Sequence, residues 1–275
     1  EGPVFVFSGQ GPQWWAMGQE LMQTEKVFRD TIKECSNAMD LLDPSWCLWD
    51  EFNCADHETS RMDDTAISQP AIFALQVATA KLLKHWGIEP AAAVGHSVGE
   101  VAAAHTAGVY TLEEAMKVIY HRGRTMSEAE EGSMLAASLT AEQTLELVEA
   151  KGGMLSLAAV NSPNSVTIAG TPEEIEALST ELDEKQVWNR QVPVKYAFHS
   201  ALMDPVKEPL LESLEGLEGK EATLPLYSTV TGEIVEGPEL SANYWWENVR
   251  QSVLFAPAII KIGEQEENDV FLEIA

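Results

Sequence analysis

The sequence predicts an α/β protein in two parts: a large α/β subdomain on a parallel sheet, with a compact β-α-β-β-α-β unit inserted into it. Three observations predict this. The stretch "AAAVGHSVGEVAAA", Ala91 to Ala104, runs from a small apolar strand through a glycine-bracketed turn into a helix. Between Ser133 and Val194, strand and helix patterns alternate in the ferredoxin-like order. The chain has 275 residues and is 45% hydrophobic, enough to bury a sizeable core without disulfides.

The elements follow in order. Val4–Phe7 is a short apolar run that ends in Ser-Gly-Gln-Gly, a strand and its turn. Residues 17–41 carry helical periodicity in Met17, Leu21, Met22, Val27, Phe28 and Ile32. Ser68 is placed to cap a helix with Pro70 at its first position, running over Ala71–Trp86 and stopped by Gly87. Ala91–Val94 is a strand, and Glu100–Ala107 and Leu112–Met126 are helices. Then come a strand at Ser133–Ser138, a helix at Ala141–Lys151, strands at Leu155–Val160 and Ser165–Ala169, a helix opened by Thr171, and a strand at Gln191–Val194. The expected boundaries are 1–128 with 197–275 for the large subdomain and 129–196 for the inserted one. Both chain ends lie in apolar runs; they read as cut from a longer polypeptide, with two buried terminal strands as the plainer account.

Charge and cysteine content narrow the function. The formal net charge is −27, which argues against nucleic acid and anionic membranes, and an anionic substrate would need a local basic island. No run of about 18 apolar residues suggests a membrane span. Three cysteines without a C-x-x-C pair argue against a disulfide framework or a zinc site and fit a reducing, cytoplasmic compartment. The acidic runs Glu128–Glu131 and Glu264–Glu267 read as solvated surface.

Gly95-His96-Ser97-Val98-Gly99 between a strand and a helix is the pattern of a nucleophile elbow, so the large subdomain is α/β-hydrolase-like. The turn lifts the serine hydroxyl off the backbone, and the amides that follow it face any charge developing on a bound carbonyl oxygen. A serine nucleophile needs a base. His96 is adjacent in sequence but points away around so sharp a turn. His57, His85, His105 and His121 sit in helical or polar stretches. His199 follows the strand-like "VPVKYAF" where the inserted unit ends, beside an expected crevice, and is the best candidate. No acid between Ser97 and His199 sits in an obvious post-strand loop, which leaves a backbone carbonyl or an amide side chain to orient the histidine and weighs against a common esterase.

Taken together, "FVFSGQGPQWWAMG" (5–18), "SQPAIFALQ" (68–76), "GHSVGE" (95–100), Arg122 in "YHRGRTM", "VNSPNSVTIAG" (160–170), "YAFHS" (196–200) and "YWWENVRQSVLF" (244–255) resemble one family in order across nearly the whole chain. It is that of the malonyl-CoA:acyl carrier protein transacylases and the acyltransferase domains of polyketide and fatty acid synthases. The resemblance implies a ping-pong reaction. Ser97 takes an acyl group from CoA with His199 as base, then passes it to the phosphopantetheine thiol of an acyl carrier protein. It implies no bound cofactor, an oxyanion hole from the amides of Gln10 and Val98, and a main-chain carbonyl near Asn248 orienting the histidine. It also implies that Arg122 pairs with the free carboxylate of a malonyl-type acyl group, the basic island the net charge calls for. Gln69, Met126, Tyr196, Phe198 and Asn161 are the further expected pocket residues, and neighbouring synthase domains the expected partners.

By the same resemblance, Val98 after the serine favours malonyl over methylmalonyl, and Tyr196-Ala197-Phe198-His199 is a hybrid of the two types. A phenyl ring beside the base fills the space an α-methyl needs. Two readings stand beside malonyl transfer: a methylmalonyl-selective enzyme, and a serine hydrolase that removes acyl groups from CoA or carrier. Two departures are present. Ser252 stands where the family usually has proline, with a local effect expected near the histidine. The chain also ends in "LEIA" where the family continues with Gly-Pro-His.

Overall fold

Phe7 and Gly95 are partners in adjacent parallel strands, and that pairing puts the two glycine-bracketed turns side by side. The computed structural model describes residues 2–265 and 270–275. The chain runs β1 (Val4–Phe7), α1 (Gln19–Thr24), α2 (Lys26–Asp40), α3 (Leu48–Phe52), α4 (Thr65–His85), β2 (Ala92–Gly95), α5 (Gly99–Thr106) and α6 (Leu112–Ser127). It continues with β3 (Ser133–Ala137), α7 (Ala141–Lys151), β4 (Ser156–Ser162), β5 (Ser165–Gly170), α8 (Pro172–Glu184) and β6 (Asn189–Val192). A 3-10 turn at Ala201–Val206 leads to α9 (Lys207–Ser213), β7 (Leu226–Tyr227), β8 (Ile234–Val235), α10 (Ala242–Arg250), α11 (Phe255–Gln265) and β9 (Phe271–Ile274).

Two sheets form. The first has the order β8-β7-β2-β1-β9; its β7, β2, β1 and β9 are parallel, and β8 is an antiparallel edge. The fold is therefore α/β, with β1 and β2 at the centre of a mostly parallel sheet. Crevices at the carboxyl ends of such strands collect ligands. The second sheet has the order β4-β5-β3-β6 and is antiparallel throughout, the ferredoxin-like arrangement. Its own core, with Leu135, Leu157, Ile168, Ile175 and Leu178, is sealed under α7 and α8. Capping boxes at Thr140/Gln143 and Thr171/Glu174 start those two helices. The sheets touch where Ala159 of β4 bridges Val253. There Ser252 donates its hydroxyl to the Leu157 carbonyl, a bond that a proline at this position could not make.

Four details correct the sequence reading. Helix α4 starts at Thr65, capped by the Asp64 side chain on the Ala66 amide, so Ser68 and Pro70 lie inside it. Pro70 removes only one donor near the helix start, and the burial of almost every residue up to Leu82 outweighs that loss. The 17–41 helix breaks at Glu25, whose backbone is extended, into α1 and α2. Strand β6 lies two residues earlier than read, because its register is set by pairing with β3. Helix α4 is also long and apolar enough to cross a membrane, with mean hydropathy 1.2, but 78% of that window is buried inside the protein, as in a core helix. The turn, helices and strands between Ala201 and Gln265 were not read from the sequence at all; they are short or carry interior prolines. Of the second acidic run, Glu266 and Glu267 lie outside the described residues.

The elbow glycines are required by close approach. A Cβ on Gly99 would lie 2.2 Å from the Phe7 carbonyl oxygen, and one on Gly95 would lie 2.2 Å from the Glu100 amide. Both contacts are to backbone, which cannot swing aside. Gly99→Ala is accordingly expected to destabilise the protein by about 3 kcal/mol or more, read as a fall in the urea midpoint; a change under about 0.5 kcal/mol would refute the packing argument.

Candidate active site

Ser97 sits at φ 52° in the elbow, and His199 at φ 59° just after the inserted unit. Besides Gln186, they are the described non-glycine residues with positive φ. Backbone strain of this kind is held only where the surroundings over-determine it. Their side chains meet across 102 residues of sequence: Ser97 Oγ lies 2.8 Å from His199 Nε2. On its other side, His199 Nδ1 lies 3.0 Å from the Gln251 carbonyl oxygen. A carbonyl can only accept, so Nδ1 carries the proton, and Nε2 is left to accept from the serine hydroxyl. The carbonyl on Nδ1 thus belongs to Gln251, three residues beyond the expected Asn248. The reason is where α10 ends: its last residue is Arg250, and Gln251 turns to extended backbone.

Arg122 is 1% exposed and reaches the same oxygen. Its Nη2 donates to Ser97 Oγ at 3.0 Å, Nη1 to Gln69 Oε1 at 2.8 Å, and Nε to Asn248 Oδ1 at 3.0 Å. A guanidinium has five N–H groups, so one remains on each terminal nitrogen for a planar acceptor. Among the described residues, no carboxylate lies within ion-pair distance of it. Burial lowers its pKa to about 10, so it stays charged at neutral pH.

Burial, the Arg122 charge and His96 together push His199 down to about 3. The imidazole is therefore neutral in the folded protein across the working pH range. The rate at which Ser97 is acylated is expected to stay flat from pH 7 to about 5, and an acid limb near 6.5 would contradict this placement. The folded pKa lies below the ordinary 6.5, so only the unfolded chain binds this proton between those values. Stability then falls as pH falls through that window, by up to about 1.4 kcal/mol per unit from this residue. His199→Gln should lose less stability than the parent on acidification.

The other expected residues divide. Gln69 links Arg122 to the Gln10 side chain, its Nε2 donating to Gln10 Oε1 at 3.4 Å and reaching Met126 Sδ at 3.6 Å. Among the described residues, no hydrogen bond is formed by the backbone amides of Gln10 and Val98. Gln10 and Tyr196 line a cleft of about 990 Å³ together with Arg61, Asp64, Thr65 and Lys195. The Tyr196 hydroxyl is held on the Ser127 carbonyl, and its ring lies 5.8 Å from that of Phe198. Asn161 is not with Arg122; it bonds His96 Nε2 at 2.9 Å and lines a separate depression with Phe255. Glu100 is 3% exposed and was not singled out from the sequence. Its signal was there: one charged side chain in the apolar run Val98–Ala104.

An α/β sheet carrying a strained serine at an elbow, with a neutral histidine as its partner and a buried arginine on its hydroxyl, defines an acyl-group-handling serine enzyme. The chain belongs to the acyl transferase domain family, whose profile matches residues 4–275. It is 39% identical over 285 residues to the hybrid PKS-NRPS synthetase pynA of Aspergillus niger, covering 98% of this chain and 7% of that protein. The loading acyltransferase of the avermectin modular polyketide synthase superposes with a TM-score of 0.92 at 32% identity, covering 100% of this chain and 87% of that one. The malonyl CoA-acyl carrier protein transacylase of Clostridium perfringens superposes at 0.88 and 27% identity, covering 100% and 86%. The chain thus spans about 7% of the length of the curated relative.

Proposed function

We propose that this domain moves a malonyl unit from CoA to the phosphopantetheine thiol of an acyl carrier protein through an acyl-serine. The buried Arg122, without a carboxylate partner and bonded to Ser97 Oγ, carries the reading. A free acyl carboxylate would complete its unpaired fork and set the thioester carbonyl beside the serine. Ser97 Oγ attacks that carbonyl while His199 Nε2 takes its proton; the Gln10 and Val98 amides face the oxyanion, and CoA leaves as thiol with that proton. The carrier thiol then attacks the acyl-serine, and the serine recovers its proton. Gln69 and Met126 wall the site, and Gln251 holds the histidine's tautomer. The 990 Å³ cleft beside Gln10 admits the pantetheine arm. Residues 129–196 act as the inserted unit against the core of 1–128 and 197–275, and the unpaired cysteines fit a reducing, cytoplasmic setting.

Malonyl is favoured over methylmalonyl by Phe198, 7% exposed and packed at a tilt beside a tethered Tyr196. One methyl is worth about 1–3 kcal/mol in such a pocket. The protein is therefore expected to emerge from an equimolar mixture of malonyl-CoA and methylmalonyl-CoA carrying mainly malonyl, by intact-protein mass spectrometry. A predominant methylmalonyl adduct would overturn the substrate, and release of free acid in place of transfer to a carrier would overturn the reaction.

A further inference from the structure

Glu100 is a buried carboxylate that the proposed chemistry does not use. Its Oε1 accepts from the Thr229 amide at 3.0 Å and the Tyr244 hydroxyl at 2.7 Å, and its Oε2 accepts from Asn248 Nδ2 at 2.6 Å. Burial raises the Glu100 carboxyl above its ordinary value, and the bonds from Tyr244, Thr229 and Asn248 work against that rise. The amide N–H and the NH₂ group can only donate, so each Glu100 oxygen is held as an acceptor toward one of them, which favours the ionised form. Asn248 spans from Glu100 to Arg122. Its Oδ1 accepts from Arg122 Nε at 3.0 Å, while its Nδ2 donates to Glu100 and, at 3.3 Å, to the Ser97 carbonyl. The amide cannot turn over. Reversal would set NH₂ against the guanidinium N–H and oxygen against the carboxylate.

We propose that Glu100 is the counter-charge of Arg122 and that Asn248 transmits it as a polarity relay, fixing the guanidinium for the acyl carboxylate; Glu100 and Asn248 are thus positioning residues for acyl selectivity. The inference rests on the carboxylate reading of Arg122 given above. Two facts favour a relay over a structural anchor alone. The chain separation is long, 148 residues from Glu100 to Asn248 and 126 from Asn248 to Arg122, yet all three groups are bonded and buried. Moreover, a direct Glu–Arg pair would occupy the fork. Placing the charge one amide away balances Arg122 and leaves its terminal N–H groups for substrate.

The test exploits polarity. In Glu100→Gln the charge is lost and the new NH₂ meets a donor at either end: the Thr229 N–H, which leaves Arg122 without its counter-charge, or the Asn248 NH₂, which can turn only by setting its NH₂ against the Arg122 N–H. Adding Asn248→Asp restores an acceptor facing both neighbours. The rates of acyl-serine formation from malonyl-CoA and acetyl-CoA are compared by intact mass. The malonyl-to-acetyl ratio is expected to fall about tenfold or more in E100Q, with KM for malonyl-CoA rising more than kcat falls. It should recover in part in E100Q/N248D; recovery is partial because the Ser97 carbonyl loses one donor. Asn248→Ala, which leaves Glu100 in place, should lower the ratio similarly and guards against misfolding of E100Q. A ratio unchanged in E100Q and N248A, against a wild type that prefers malonyl, would overturn the relay alone. Equal wild-type rates for the two thioesters would overturn the reading of Arg122 and the relay with it.

Discussion

Ser97→Ala is expected to abolish the covalent acyl adduct altogether and to lower transfer by about 10⁴-fold or more. Nothing else among the described groups near this oxygen can replace it. His199 is tied to the Gln251 carbonyl, and Arg122 is a cation with no lone pair to offer. Intact-protein mass spectrometry after incubation with malonyl-CoA reads the result, and an undiminished adduct would remove the serine from the mechanism. The same position offers a separate stability readout. Ser97 is held at φ 52°, where a side chain costs about 1–2 kcal/mol and glycine almost nothing. Ser97→Gly should therefore be as inactive as Ser97→Ala yet more stable by about 1 kcal/mol. That pairing would locate the strain at the nucleophile itself.

Arg122→Ala is expected to lower kcat/KM for malonyl-CoA by about a hundredfold or more, while acetyl-CoA loses much less. The substitution removes a charge that is 1% exposed and leaves Gln69 Oε1 and Asn248 Oδ1 without their donor. Some loss of stability is therefore expected alongside. Arg122→Lys separates the two effects. It keeps the charge but offers a point in place of a planar fork, so it should bind the acyl carboxylate poorly even where the fold is sound. The measurement is the ratio of malonyl to acetyl acylation for each variant. A ratio that survives both substitutions would mean that the carboxylate is recognised elsewhere.

The elbow was legible because its geometry is local. Two glycines four residues apart, flanked by small apolar runs, leave few other structures for the serine between them, and the backbone contacts at Gly95 and Gly99 bear this out. His199 was legible by elimination and by its place after the insertion. The carbonyl on the histidine lies at the edge of the expected segment, on Gln251 and not on Asn248. A helix end cannot be fixed to the residue from sequence, and one turn decides whether Asn248 or Gln251 presents its carbonyl to the ring. The Asn248 side chain, which joins Arg122 to Glu100, was not foreseen at all. Ser68 looks like a cap because a cap followed by proline is a common local signal, but the cap is Asp64, four residues earlier, and tertiary burial carries the helix back to Thr65. Between Ala201 and Gln265 the pattern is too broken by proline and short elements for periodicity to act on.

The sequence by itself determined the fold class, the elbow and the identity of the serine, because those depend on near neighbours: glycines that permit backbone contact and apolar runs that alternate or repeat. Only the tertiary structure decided that Arg122 lies on the Ser97 hydroxyl, that the Gln251 carbonyl holds His199 Nδ1 and that Asn248 is bonded to both Glu100 and Arg122. Those groups lie between 25 and 151 residues apart in the chain, and the packing of α5 and of α10 against α6 helps to join them. Burial then decides their charges, since a hydrogen bond out of water is strong when both ends are matched and costly when either is not.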